Sequence, residues 1–133
     1  MSSKGIHFCA LCYSSKDIEK HHSVFKSEVR SLSHCKMNYI YLCHCCHTNL
    51  HRHKGGELDQ KVKMMFQNRL EEKVLKHYIT YDEIKEILDI SDTATHNLAH
   101  NMVRYKEGFS RENLINTCIG RDLMWTFLIY FGL

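Results

Sequence analysis

Proline is absent from the 133 residues, and glycine occurs only six times. Interdomain linkers are usually rich in these residues, so composition advertises no boundary. Gly55-Gly56 is the one clear punctuation mark. No internal repeat or low-complexity segment interrupts the chain. The start, Met1-Ser-Ser-Lys-Gly-Ile-His, lacks the apolar core that follows the charge in a secretory signal. The only strongly apolar run is Leu123 to Leu133, whose eleven residues fall short of the roughly 20 that cross a bilayer. These absences predict no membrane partner and a cytoplasmic, reducing setting, where cysteine pairs read as metal ligands before disulfides.

What the chain does have is ligand chemistry. Hydrophobic content of 44% and charged content of 25% are those of a folded globular protein. Seven cysteines and eleven histidines are not ordinary, and six of the cysteines and eight of the histidines precede residue 55. Charge is uneven as well. Residues 1–56 carry eight Lys and Arg against three Asp and Glu, a net +5, whereas residues 57–133 carry ten against twelve, a net −2. The basic charge lies on the metal-rich part, as a polyanionic partner requires.

Periodicity divides the chain into a small ligand-rich module, residues 1–56, and a mostly helical extension, residues 57–133. Lys20–Phe25 and Asn38–Leu42 hold β-branched and aromatic residues in short runs and read as a hairpin with a long polar connection. Cys43–Lys54 reads as a helix closed by the glycine pair. Beyond it, Leu58, Val62, Met65, Phe66, Leu70, Val74 and Leu75 recur at steps of three and four, which predicts an amphipathic helix. Thr80-Tyr-Asp-Glu83 is a capping signal for a second helix through Ile84, Ile87 and Leu88. Asp89-Ile-Ser91 breaks it, and helical spacing resumes from Thr93 to Tyr105. Two short helices with a tight turn make residues 80–105 a helix-turn-helix candidate, plain helical packing being the alternative.

Cys9-x2-Cys12 and Cys43-x2-Cys46 have the two-knuckle spacing of a structural Zn²⁺ closed by four thiolates. Cys45 breaks that spacing and lies about 100° further round the helix. Cys35 and Cys118 are left over as small buried hydrophobes. His47 and His51 are four apart on the predicted helix, so both imidazoles project from one face. His21 and His22 are adjacent on a strand and must point to opposite sides. With His21 joining His47 and His51, three imidazoles hold a divalent ion and leave positions open for water and substrate. His22, on the other face, is then free to act as a general base.

Taken in order, Glu19-x-His21-His22, then Asn38, then Cys43-x2-Cys46-His47-x3-His51 resembles the HNH nucleases, with a ββα-metal core and zinc knuckles. The resemblance covers roughly residues 6–56 and implies an α+β fold, a zinc-stapled ββα-metal module. It implies that His22 activates a water against the scissile phosphate. His21 and His47 would bind the catalytic ion, and His51 matches an additional histidine ligand of the colicin-type members. Asn38 would fix the loop and orient His22 through a backbone or imidazole hydrogen bond. Many members carry aspartate where this chain has His21, so the ion preference spans Mg²⁺ and Mn²⁺, which favour oxygen, and Ni²⁺ and Zn²⁺, which favour imidazole. Arg52 and Lys54, at the helix end, contact flanking phosphates or merely complement the helix dipole. Lys16, Lys20, Lys26 and Arg30 are equally well read as a solvated basic face.

The function expected on these grounds is a metal-dependent DNA endonuclease of phage or mobile-element type, with a homodimer or a phage protein as a possible partner. The alternative is a non-catalytic, zinc-ribbon-like nucleic-acid-binding module. That alternative accounts for the four cysteines and the basic charge, but not for the paired histidines or Asn38.

Overall fold

The computed structural model describes residues 6–120, arranged as five α-helices and two small antiparallel sheets, an α+β fold. The apolar run Leu123–Leu133 lies outside the described residues, and with it the Trp125–Phe131 end that is expected to pack in the core of the extension or at a dimer interface. Among those described, no helix is long and apolar enough to cross a membrane.

Strands β1 (Ile18–His22) and β2 (Tyr39–Cys43) pair antiparallel, with Ile18 opposite Cys43 and His22 opposite Tyr39. The first strand thus ends three residues before the predicted Phe25. The reason is local. The Ser23 N–H goes to the Asn38 carbonyl, and both backbone groups of Val24 are taken by the Asn38 side chain, so no ladder can continue. The 23–38 connection instead carries two short 3-10 turns, Arg30–Leu32 and Lys36–Asn38. Cys43 ends β2 and caps helix α1 (His44–Arg52), its sulfur accepting the Cys46 N–H.

Helix α2 (Glu57–Lys73) begins with Glu57 and Asp59 at its positive end. Val62, Phe66 and Leu70, four apart, are fully buried, each contributing about 1.5–3 kcal/mol through apolar burial. This stripe joins two cores. Val62 packs with Cys9, Phe25, Ile40, Leu42 and Leu50, whereas Phe66 and Leu70 pack with Ile84, Leu88, Leu98 and Leu114. Val24, Leu32 and Cys35 also belong to that second core, which therefore spans both sides of the glycine pair.

The helix stops before Leu75, which the apolar spacing assigned to the buried stripe and which is 83% exposed. Arg111 donates to the carbonyls of Val74 (2.6 Å) and Glu71 (3.1 Å), satisfying the end of α2 with a cation. Helices α3 (Tyr81–Leu88) and α4 (Asp92–Ala99) follow. Thr80 and Glu83 form a capping box on α3, and Asp89 takes the left-handed conformation at its end (φ 50°).

The expectation of a mostly helical extension holds for the described residues 57–120, but the helical reading of residues 93–105 needs correction. Helix α4 ends at Ala99, and β4 (Arg104–Tyr105) and β5 (Gly108–Ser110) form a hairpin. With β3 (Tyr78–Ile79) they make a three-stranded sheet in the order β3-β5-β4. Gly108 enables this. Its φ is +124°, and a Cβ there would lie 2.6 Å from the Ile79 carbonyl oxygen. Helix α5 (Arg111–Cys118), capped by Ser110, closes the described chain.

Candidate metal centres

The first centre is built at the base of the β1–β2 hairpin. The segment carrying Cys9 docks on β2 through Ala10 N–H to the Tyr41 carbonyl (2.9 Å) and turns at Tyr13 (φ 65°). The Cys12 N–H reaches the Cys9 sulfur at 3.5 Å, and the Cys46 N–H reaches the Cys43 sulfur at 3.4 Å. All four sulfurs of Cys9, Cys12, Cys43 and Cys46 lie within 4.8 Å of one another, and those of Cys12 and Cys43 are 3.6 Å apart. A zinc ion with Zn–S bonds of about 2.3 Å separates its tetrahedral sulfurs by about 3.8 Å. The donors therefore fit the ion.

Their acidities are spread by the same packing. At Cys9 burial opposes the thiolate, but N–H groups of Cys43, Cys12 and Leu11 outweigh it and hold the group down to about 6. Burial and the neighbouring thiols push Cys46 well up. Four thiolates so close together need a cation to be stable, which a structural metal such as zinc would supply. Cys45 is exposed and outside the cluster, and Cys35 and Cys118 are buried in the larger core.

The second centre lies across β1 and α1. Strand alternation turns His21 toward the helix, where His47 and His51 share a face. Ring centroids are 4.3 Å apart for His21 and His47, 4.8 Å for His21 and His51, and 4.7 Å for His47 and His51. Phe25 stacks on His51 at 5.0 Å and meets His21 edge-on. One nitrogen from each of the three histidines can be chosen so that all lie within 4.8 Å of one another.

Two features show that these imidazoles suit a metal ion. The buried Nε2 of His21 has no hydrogen-bond partner. The Nδ1 of His47 is 2.8 Å from a carboxylate oxygen of Glu19, so it carries the proton and its Nε2 keeps a lone pair. Glu19 and His21 are two apart on β1 and share its face. Burial, then the charges of His47, His51 and His22, lower the basicity of His21 to about 4, which keeps that ring neutral at neutral pH. His51 is lowered by burial and by His47. Glu19 is lowered by its bond to His47. A cleft of about 460 Å³, lined by Glu19, His44, His47, Thr48, His51 and Arg52, opens the cluster to solvent.

His22 projects from the opposite face of β1. Its Nε2 is 2.7 Å from the Ser33 carbonyl oxygen. A carbonyl only accepts, so Nε2 carries the hydrogen and Nδ1 is left as the basic nitrogen of the neutral ring. Asn38 is fully buried. Its Oδ1 accepts the Val24 N–H (2.8 Å), and its Nδ2 donates to the carbonyls of Val24 (3.0 Å) and Leu32 (3.3 Å). Asn38 thus bonds to the backbone of the loop that follows His22 and makes no bond to the imidazole.

Arg52 sits on the rim of the histidine cleft, while the Lys54 ammonium lies 5.2 Å over the Phe25 ring. The partnership of Glu19 with His47 had a signal in the sequence, a carboxylate two residues from a candidate ligand on one strand face. The Ser33 carbonyl had none, because its place depends on the whole 23–38 loop. Arg69, which reaches back from α2 to the carbonyls of Met37 (2.9 Å) and Tyr39 (3.1 Å), was equally hidden. In comparisons with protein-family models, curated proteins and solved structures, none matches the chain.

Proposed function

We propose that the chain is a metal-dependent DNA endonuclease of the HNH type, hydrolysing phosphodiester bonds at the histidine centre. The observation that carries this reading is the division of labour between two adjacent histidines. His21 turns a buried, partnerless nitrogen toward two more imidazoles, while His22 has its Nε2 occupied by a carbonyl and its Nδ1 left basic. A binding module needs the four cysteines but has no use for that arrangement.

A divalent ion, when bound, supplies a Lewis acid that stabilises charge on the scissile phosphate and the leaving 3′ oxygen. His21, His47 and His51 would hold it, and Glu19 would fix the His47 ring through Nδ1. His22 takes a proton at Nδ1 from the water that attacks phosphorus. The P–O3′ bond breaks and the leaving 3′ oxygen takes a proton from solvent water, giving a 5′-phosphate and a 3′-hydroxyl. The Ser33 carbonyl steadies the imidazolium by accepting its Nε2–H. Three neutral imidazoles suit Zn²⁺ or Ni²⁺ better than Mg²⁺ or Mn²⁺. Arg52, on the cleft rim, and Lys54 would meet flanking phosphates. The four-cysteine centre holds a structural zinc and takes no part in the chemistry.

The test is cleavage of supercoiled plasmid DNA with each of these four ions, comparing wild type with His22→Ala. Nicking by wild type and a loss of about 10²-fold or more in the variant are expected. Intact cleavage by His22→Ala rules out the base. Duplex binding without cleavage under every ion favours the non-catalytic zinc-ribbon-like module.

A further inference from the structure

Residues 78–110 carry a feature that the metal centres do not use. Helices α3 and α4 meet at the tight turn Asp89–Ser91, and the Tyr81 hydroxyl ties them together by donating to the Asp92 carbonyl (3.0 Å) and carboxylate (3.1 Å). The β4–β5 hairpin follows α4 in the chain and is held by β3. Thr95, Leu98 and Met102 bury one side of the α4 segment. On the opposite side, at helical spacing, Thr93, His96, Asn97 and His100 are exposed. All four can form hydrogen bonds and none is acidic. At the hairpin, Arg104 and Lys106 are exposed and have no ion-pair partner among the described residues, with Glu107 the one acid at that turn.

We propose that this helix-turn-helix and its hairpin form a second DNA-binding surface. The exposed face of α4 enters the major groove of a duplex, and Arg104 and Lys106 contact the flanking phosphates. The proposal rests on the nuclease reading for its choice of double-stranded DNA as partner, and two further observations support that choice. Asparagine, threonine and histidine side chains can pair with base edges, the exposed Asp92 at the start of α4 is engaged by Tyr81 and Lys85 of α3, and the unpaired Arg104 and Lys106 suit phosphates. The surface is also continuous with the proposed active site. Helix α4 packs against the 3-10 turn Arg30–Leu32, and the next residue, Ser33, holds the His22 ring. A groove of about 520 Å³ between Glu28–Ser31 and α4 exposes Arg30 along this path. A duplex seated on α4 would then run beside the loop that positions the base.

The experiment uses the full chain carrying His22→Ala, so that bound DNA is not cut. A random duplex pool is selected for binding, and affinities for selected and random duplexes are read by fluorescence anisotropy from about 50 to about 200 mM salt. Arg104→Gln/Lys106→Gln should weaken binding about tenfold on every duplex and reduce the log–log salt slope by about 2. His96→Ala/Asn97→Ala should weaken binding to selected duplexes about tenfold or more, and to random duplexes by less than about twofold. Unchanged melting temperatures in both variants exclude misfolding, since all four side chains are exposed. Parental affinity in both double variants, or a pool that yields no preferred sequence, overturns the proposal. Plasmid cleavage by the His22-containing protein is scored separately. Its absence with every ion defeats the nuclease reading alone, whereas cleavage together with parental affinity in both variants defeats this surface alone.

Discussion

Replacing Asn38 with alanine should destabilise the protein far more than removing an ordinary polar side chain. The Asn38 amide is the partner of the Val24 N–H and the Val24 carbonyl, and it also reaches the Leu32 carbonyl. The Leu32 carbonyl keeps a second donor in the Cys35 N–H. Truncation therefore leaves two buried backbone groups without partners. At about 1–3 kcal/mol each the loss is about 2–6 kcal/mol, against a total stability of about 5–15 kcal/mol for a domain. Asn38→Asp should be no milder, because a carboxylate cannot donate and would face two carbonyl oxygens. The assay is urea unfolding with zinc present throughout, followed by circular dichroism and tyrosine fluorescence. A loss below about 1 kcal/mol in Asn38→Ala would refute the claim that this one amide holds the 23–38 loop.

Three further outcomes follow from the described contacts. Glu19→Ala should weaken ion binding at the histidine centre by about 10–100-fold, read by competition with a chelator, and Glu19→Gln by less because its oxygen still accepts from His47. Equal affinity in all three proteins would mean that Glu19 does not orient His47. Gly108→Ala should cost roughly 1–3 kcal/mol by calorimetry, since it adds a Cβ at φ +124° and 2.6 Å from the Ile79 carbonyl; a loss under about 0.5 kcal/mol would show that the hairpin relaxes freely. The third concerns acid. The Lys76 ammonium, then the Thr80 backbone and hydroxyl, pull Glu83 from 4.5 down to about 2. A depressed carboxylate stabilises the fold above its unfolded value, and that contribution is lost as pH falls from about 4.5 toward 2. Amide exchange in α3 should therefore quicken over this window in wild type and not in Glu83→Gln, and identical profiles would remove the capping box from the account.

The metal-rich residues were the most legible, because ligand spacing is a local property. Cys9-x2-Cys12 and Cys43-x2-Cys46 name their partners through knuckle geometry, and the step of four from His47 to His51 fixes their common face. The α+β class followed from the same stretch. Element ends were less legible, since tertiary hydrogen bonds decide them. Val24 looks like strand, but its backbone groups are claimed by Asn38. Leu75 fits the apolar period of α2, but Arg111, 36 residues later, caps the helix before it. The second sheet was hidden for a different reason. Strands of two and three residues are too short to show alternation, and Ala94, Leu98 and Met102 offered a helical period that ran past the true end of α4. Contacts made through backbone carbonyls, such as His22 to Ser33, leave no trace in residue identity.

The central claim is that the dense ligand stretch from Cys43 to His51 serves two separable metal centres, one of sulfur and one of imidazole. Zinc content and zinc-edge X-ray absorption, measured on wild type and on His21→Ala/His47→Ala, test it directly. The account predicts about two zinc ions per wild-type chain with mixed sulfur and nitrogen ligands. The variant should hold about one, surrounded by four sulfurs at about 2.3 Å. A variant that keeps two ions, or whose remaining zinc still has nitrogen ligands, would contradict the division on which the proposed chemistry depends.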